Sequence, residues 1–346
     1  MGYQVLTTHK GKRFSAAKAF LDPVRGRPNL DVLTGVRVER IIFEGKRASG
    51  IQLADRNIAS RGEIILSAGA VESPKLLELS GIGDKARLQA LGIEPLVDSP
   101  LVGENLREHR YVAVDWKVKS GSSNRNLQGF GLLASVLRYF LLSSGPMTDA
   151  AHEVGGFIKT RPELTRPDAQ IGSMLVTISI GADGAPVLDK FPGMRVLGYF
   201  TRPESRGWTH ITSNDPAASP AINANHFAES IDRQTAVNLF KWLRRLGQQP
   251  ALSDWITEET GKGAAFQSDE EIAANLLQLG GTSFHIAGTA AMGADASSVL
   301  DPQLHVRGVE GLRVADASIM PTLTSGNTNA PSIMIGEKAA DMVLQD

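Results

Sequence analysis

The chain has 346 residues, a length that suggests two domains at about 150 residues each. Its 36 Lys and Arg against 37 Asp and Glu give a formal net charge of −1, so no broad basic field awaits a nucleic acid. Cysteine is absent, which excludes disulfides, thiolate nucleophiles, iron–sulfur clusters and zinc–cysteine sites; the seven histidines form no H-E-x-x-H spacing, so no metal is expected.

The apolar stretch from Gly131 to Leu142 is interrupted by Arg138 and is shorter than the ~20 residues that span a bilayer. Residues 1–6 carry no signal-peptide core and fail the myristoylation pattern. The expectation is a cytoplasmic protein with no membrane span.

In chain order, residues 2–9 read as a strand, and 13–21 as a short helix capped by Ser15. Residues 30–34, 36–43 and 48–53 alternate as a meander of short strands. Gly62 to Ala70 differs, because its continuous apolar run ends in small residues, the pattern of a buried parallel strand. A helix should follow, with Ser73 as N-cap, Pro74 at its first position and Gly81 just past its end. The middle, 111–279, holds longer loops, many Pro-containing turns, a strand at 196–200 and a helix over 228–247. From Gly280 the density of Gly, Ser, Thr and Asn rises again.

Three clusters stand out. Ser67 to Gly83 is a strand–turn–helix whose small residues let a flat ligand approach the backbone; an ordinary buried βα unit reads the same way. Within it, Gly81-x-Gly83-x-x-Ala86 ends a helix rather than opening one, so it is not a dinucleotide fingerprint. Ser283 to Gly293 places His285 ahead of small residues that leave space beside an imidazole. Leu312 to Pro321 leads through Ser325-Gly326-Asn327-Thr328-Asn329-Ala330-Pro331 into an apolar helix, whose free N–H groups favour an anion or an electron-rich ring edge.

Taken together, the three clusters resemble the glucose–methanol–choline (GMC) family of FAD-dependent alcohol oxidoreductases. The segment Gly69–Gly83 is similar to the family's second signature, Val102-Gly103-Glu104-Asn105-Leu106-Arg107-Glu108-His109 follows as in the family, and the clusters around His285, Asp316 and Asn329 resemble its C-terminal end. The resemblance runs over the whole chain.

It implies an α/β (α+β mixed) fold: a discontinuous FAD-binding domain, residues 1–110 and 280–346, and an antiparallel-sheet substrate domain, 111–279. It implies His285 as the base that takes an alcohol's proton, since an imidazole pKa near ~6.5 suits the task. Asn329 would occupy the family's second active-site position, with the helix from Pro331 facing the flavin. Val38 and Ala68 would lie along the adenine end of FAD, and Asp316 and Ala317 near the pyrophosphate and ribityl chain. His226 departs from the family, where an aromatic residue is usual, and reads as structural.

The family's opening G-x-G-x-x-G unit is not in these residues. The resemblance therefore implies an incomplete FAD domain and an N-terminally truncated member; the alternative is a non-catalytic module that binds no flavin. The substrate is expected to be a small-molecule alcohol. Aromatic residues are only 6% with no clustered Trp or Tyr, which leans away from choline. The electron acceptor, oxygen or another, is not legible.

Overall fold

The computed structural model describes residues 2–4, 6–148 and 152–345. Its longest helices are α1 (Gly69–Leu79), α2 (Gly129–Leu142), α3 (Ser230–Gly247) and α4 (Asn329–Gln345). The chain divides into two compact units.

The first unit comprises residues up to 30, then 110–201 and 230–283. Its frame is a six-stranded antiparallel sheet in the order Gly2–Tyr3, Val154–Ile158, Ala169–Met174, Gly193–Phe200, Tyr111–Val118, Ile256–Thr260. The two-residue period of a strand explains its two faces. Val112, Val114, Trp116 and Val118 are buried, as are Leu239, Phe240 and Leu243 of α3. Glycines let sheet and helix close: a Cβ at Gly198 would sit 3.1 Å from Leu239, and one at Gly247 would be 2.6 Å from the Trp116 ring. On the alternate positions, Asp115 and Arg195 pair bidentately at 2.6 and 2.7 Å and line, with Tyr111, a cleft of about 750 Å³.

The second unit comprises 31–109, 202–229 and 284–346. Val38–Glu44 and Arg47–Leu53 form two strands of the expected meander, and its third is Asn57–Ala59 rather than residues 30–34. Ile64–Leu66 pairs in parallel with Leu312–Val314, which places the far end of the chain beside its early part. Leu66, Leu76, Leu77, Ile82, Leu300, Leu312, Val314 and Ile335 share one core, with Val38 and Ala317 packed at its margin.

Several expectations are corrected. The compact units do not follow the bounds 1–110, 111–279 and 280–346, which remain an expectation for the functional domains: Gly2 and Tyr3 pair with Gly155 and Val154, so the first thirty residues group with the sheet. Residues 202–229 join the second unit, where Gly207 and Leu106 exchange backbone hydrogen bonds of 2.8 and 2.9 Å. The strand expected over 2–9 is two fragments, Gly2–Tyr3 and Thr8–His9, and Val5 lies outside the described residues. The helix expected over 13–21 is a short π-helical turn, Ala17–Leu21, with no buried residue. Residues 30–34 form no strand, since their alternation meets no partner and Leu33 stays exposed.

The start of α1 is earlier than Ser73, at Gly69, so Pro74 lies inside the helix. A proline there removes the bond to the carbonyl four residues back, at Ala70. Thr289 supplies the missing donor, its hydroxyl bonding the Ala70 oxygen at 2.6 Å. Gly81 does end the helix in the left-handed region at φ 85°, as expected of a glycine just past the C-cap.

Candidate active site

The residues around His285 form one ribbon held from two sides. Arg107 and Ala287 exchange backbone bonds at 3.0 Å, and Gly103 N donates to Thr289 O at 2.8 Å. On the other side, Ala290 N donates to Ser318 O at 2.9 Å and Gly288 N to Ala317 O at 3.2 Å. The small residues of this stretch are thereby explained differently from the sequence reading. A Cβ at Gly288, whose φ is 93°, would lie 2.6 Å from Asn105 O, so the space beside the ribbon is filled by backbone.

This ribbon carries His285, which is buried, against two partners. Its Nδ1 is 3.0 Å from Nδ1 of the buried His109, with the rings edge to face. Its Nε2 is 3.2 Å from the Asn327 side-chain nitrogen. With the amide donating to Nε2, that nitrogen holds the lone pair and the ring proton sits on Nδ1, which donates to His109. Glu108 completes the group: one oxygen accepts from the His285 backbone N–H at 3.2 Å, and the other is 3.7 Å from His226 Nε2. Burial holds the His285 pKa below its ordinary value of 6.5, and the opposing pull of Glu108 does not reverse it. His285 is thus neutral at pH 7, with a basic nitrogen.

A second assembly surrounds Asp316. Its carboxylate accepts from Gly69 N at 2.9 Å, from the Ser73 hydroxyl and from Ser318 N at 2.7 Å. Ser73, expected as an N-cap, instead joins α1 to this carboxylate. Three donors satisfy this buried carboxylate, which has no cationic partner at hydrogen-bond distance among the described residues. Ala68 N donates to Ser73 Oγ at 3.1 Å, and Ser73 in turn donates to Asp316, so Ser73 links the two. Around Gly69, φ 87°, a Cβ would meet nothing within 4 Å, so the turn is open to a ligand. Beside it, the buried Ser318 hydroxyl has no partner among the described residues.

The remaining sequence candidates fall nearby or elsewhere. Val38 begins its strand opposite Leu53, half-buried against the core. Asn329 is exposed at the first position of α4, with Pro331 in the first turn. The amide that reaches His285 belongs to Asn327, two residues earlier. Asn327 and His109 are the functional candidates that sequence reasoning did not single out. Their only signals were proximity to Asn329 and the terminal position in Val102–His109.

Comparisons with known proteins identify the family. Residues 1–111 match the N-terminal GMC oxidoreductase domain family and residues 203–336 the C-terminal one. The chain is 35% identical to an alcohol dehydrogenase [acceptor] of Pseudomonas putida, covering 100% of this chain and 63% of that protein. It is 37% identical to an oxygen-dependent choline dehydrogenase of Burkholderia ambifaria, covering 97% and 60%. Among solved structures it is similar to pyridoxine 4-oxidase from Mesorbium loti, with a TM-score of 0.84, 27% identity and coverage of 98% of this chain and 63% of that one. Formate oxidase from Aspergillus oryzae gives a TM-score of 0.88 at 28% identity, covering 97% and 64%. The chain therefore spans less than two thirds of the length of these relatives. With both terminal domain families matched in order, the chain belongs to the GMC oxidoreductase family.

Proposed function

We propose that the protein oxidises an alcohol to an aldehyde or ketone with FAD as hydride acceptor. The observation that carries this reading is the neutral His285, whose Nε2 lone pair is held beside the Asn327 amide. An alcohol gives up hydride from carbon only as its O–H proton leaves, because alkoxide character pushes electrons toward that carbon. On binding, the substrate oxygen accepts the Asn327 amide N–H in place of Nε2, which frees the Nε2 lone pair to take the alcohol's O–H proton. The imidazolium so formed keeps its Nδ1–H on His109, while Glu108 stabilises the new positive charge.

The residues present suit the flavin. The open backbone at Gly69, the unpartnered Ser318 hydroxyl and the donor-saturated Asp316 form a polar edge with room for a ribityl chain. The N-terminus of α4, at Asn329 and through Pro331, presents free N–H groups and the positive end of the helix dipole. That end stabilises negative charge on a reduced ring. Val38 and Ala68 are assigned to the adenine end. When bound, FAD supplies the two-electron acceptor.

The relatives' names include both an alcohol and a choline dehydrogenase, so the substrate class is alcohols, choline-like ones included. The test is anaerobic mixing of the purified, FAD-supplemented protein with a panel of primary, secondary and choline-like alcohols. Bleaching of the yellow absorbance by at least one alcohol, and its loss in His285→Ala with flavin retained, is the expected result. A flavin-loaded protein that no alcohol in the panel bleaches would overturn the reading in favour of a non-catalytic module.

A further inference from the structure

Helix α2 (Gly129–Leu142) carries its polarity the wrong way round for a soluble protein. Phe130 is 94% exposed, Phe140 75% and Leu141 77%, and Leu133 and Leu137 are exposed as well. At 3.6 residues per turn these five occupy an arc of about 100°, a continuous apolar stripe. The less exposed side carries Gly131, Ser135, Val136 and Tyr139, none of them a Leu or Phe. Ser135 is the buried residue of the helix, its hydroxyl bonded to Asn126 O at 2.8 Å, and a Cβ at Gly131 would strike the Arg125 carbonyl. A stripe of this kind on water marks a surface that something covers.

The charge around it says what. The helix ends at Ser143, and the turn of the Thr8–His9/Lys12–Arg13 hairpin lies against that end: a Cβ at Gly11 would be 3.5 Å from Ser143 O. That hairpin exposes Lys10, Lys12 and Arg13, while Arg125 and Arg138 are exposed beside and on the helix itself. Neither residues 6–21 nor 116–148 contain a single Asp or Glu. In a chain of net charge −1, two adjoining segments are thus wholly basic around an apolar stripe.

We propose that α2 and the Thr8–Arg13 hairpin form an interfacial docking surface for an anionic lipid bilayer. The helix lies flat, with Phe130, Leu133, Leu137, Phe140 and Leu141 in the acyl boundary and the cations at the headgroups. It does not cross: its 14 residues are too few, and among the described residues no helix is long and apolar enough to span a membrane. Protein partners with an acidic rim, or a second copy of this chain, are the competing occupants, and a second copy brings the same basic hairpin against itself.

The test is flotation of the purified protein with vesicles of phosphatidylcholine alone or mixed with phosphatidylglycerol. Binding to the mixed vesicles, weakened by salt, is expected. Phe140→Glu should lower the partition at least tenfold, since it removes one buried aromatic ring from the acyl boundary. Each of Lys10→Gln and Lys12→Gln should lower it about fivefold. All three sites are exposed, and circular dichroism with a thermal melt checks that the variants fold as the parent does. Equal binding by parent and Phe140→Glu would overturn the proposal. So would absence of binding to the mixed vesicles together with a dimer that Phe140→Glu dissociates.

Discussion

Two buried imidazoles of the same unit show how surroundings divide labour between residues of one type. His210 lies between carboxylates: its Nδ1 is 2.8 Å from Glu78 Oε1 and its Nε2 3.0 Å from Glu104 Oε1. Arg87 lies 3.7 Å from both carboxylates, Trp208 stacks on the ring, and Glu78 is wholly buried while also accepting from Ile211 N. That node is cross-linked on every side, and a Cβ at Gly103 would strike the ring at 2.6 Å. His285 has instead a second imidazole on one nitrogen and an amide on the other, with the Glu108 carboxylate accepting from its backbone N–H. A ring hemmed by charge holds structure together. A ring held by neutral groups keeps a lone pair to use.

This contrast predicts opposite responses to deletion. His285→Ala should lower turnover by about 10²–10⁴-fold while flavin stays bound and the melting temperature barely moves. Turnover within threefold of the parent would remove His285 from the chemistry. Glu78→Ala should do the reverse, destabilising the fold by about 1–3 kcal/mol, because it leaves the buried Ile211 N–H and the His210 ring nitrogen without their partner. Urea unfolding measures this, and the folded fraction should keep the parent's pH profile.

The pH dependence sharpens the comparison further. Since the folded pKa of His285 lies below 6.5, kcat/KM should be flat through neutrality and fall only as the pH drops well under that value. The sign for stability follows from linkage. Below 6.5 the unfolded chain binds a proton that the folded His285 refuses, so its contribution to stability is present above 6.5 and lost as the pH falls. An activity profile whose acid limb lies above 6.5 would contradict a neutral, desolvated base.

Legibility in the sequence follows the same division. Ile64–Leu66, α1, α3 and α4 announce themselves by apolar runs and helix-ending residues, while Ala68 and Asp316 come forward only through the family resemblance. What escaped was every arrangement made by distant strands. Ser73 looks like a helix cap until Asp316, 243 residues away, takes its hydroxyl. Leu30–Thr34 has the alternation of a strand but no neighbour to pair with. His109 and Asn327 carry no local signal, because each matters only through a ring 176 or 42 residues distant. The apolar run 131–142 was visible, and its length excluded a span, but only the exposure of α2 shows which face carries the bulk.

A smaller effect should come from Asn327, which fixes the tautomer rather than taking the proton. Removal in Asn327→Ala should lower kcat/KM by about tenfold, the worth of one hydrogen bond to the reacting group. Asn327→Asp is the sharper variant. A carboxylate accepts from Nε2 instead of donating to it, so the proton moves to the nitrogen that the substrate needs free. The acid limb of the pH profile should then move upward, with activity falling below that of the alanine variant. Identical profiles for the two variants would show that the amide does not set the His285 tautomer.

The smallest effect concerns a polar group of a third kind, one with no partner among the described residues. The Ser318 hydroxyl is buried beside Asp316, whose carboxylate is already occupied by Gly69, Ser73 and the Ser318 backbone. An unsatisfied buried hydroxyl opposes folding, so Ser318→Ala should leave stability unchanged or raise it by up to about 1 kcal/mol in the flavin-free protein. If the ribityl or phosphate end of FAD uses that hydroxyl, the same variant should retain flavin less well by about three- to tenfold on dilution. Melts with and without added FAD separate the two contributions, since ligand stabilisation adds only to the folded state. A flavin-free gain combined with a flavin-bound loss is what a donor reserved for a ligand must show. A loss of stability in both would mean that the hydroxyl has an internal partner, and would return Asp316 and its surroundings to a purely structural role.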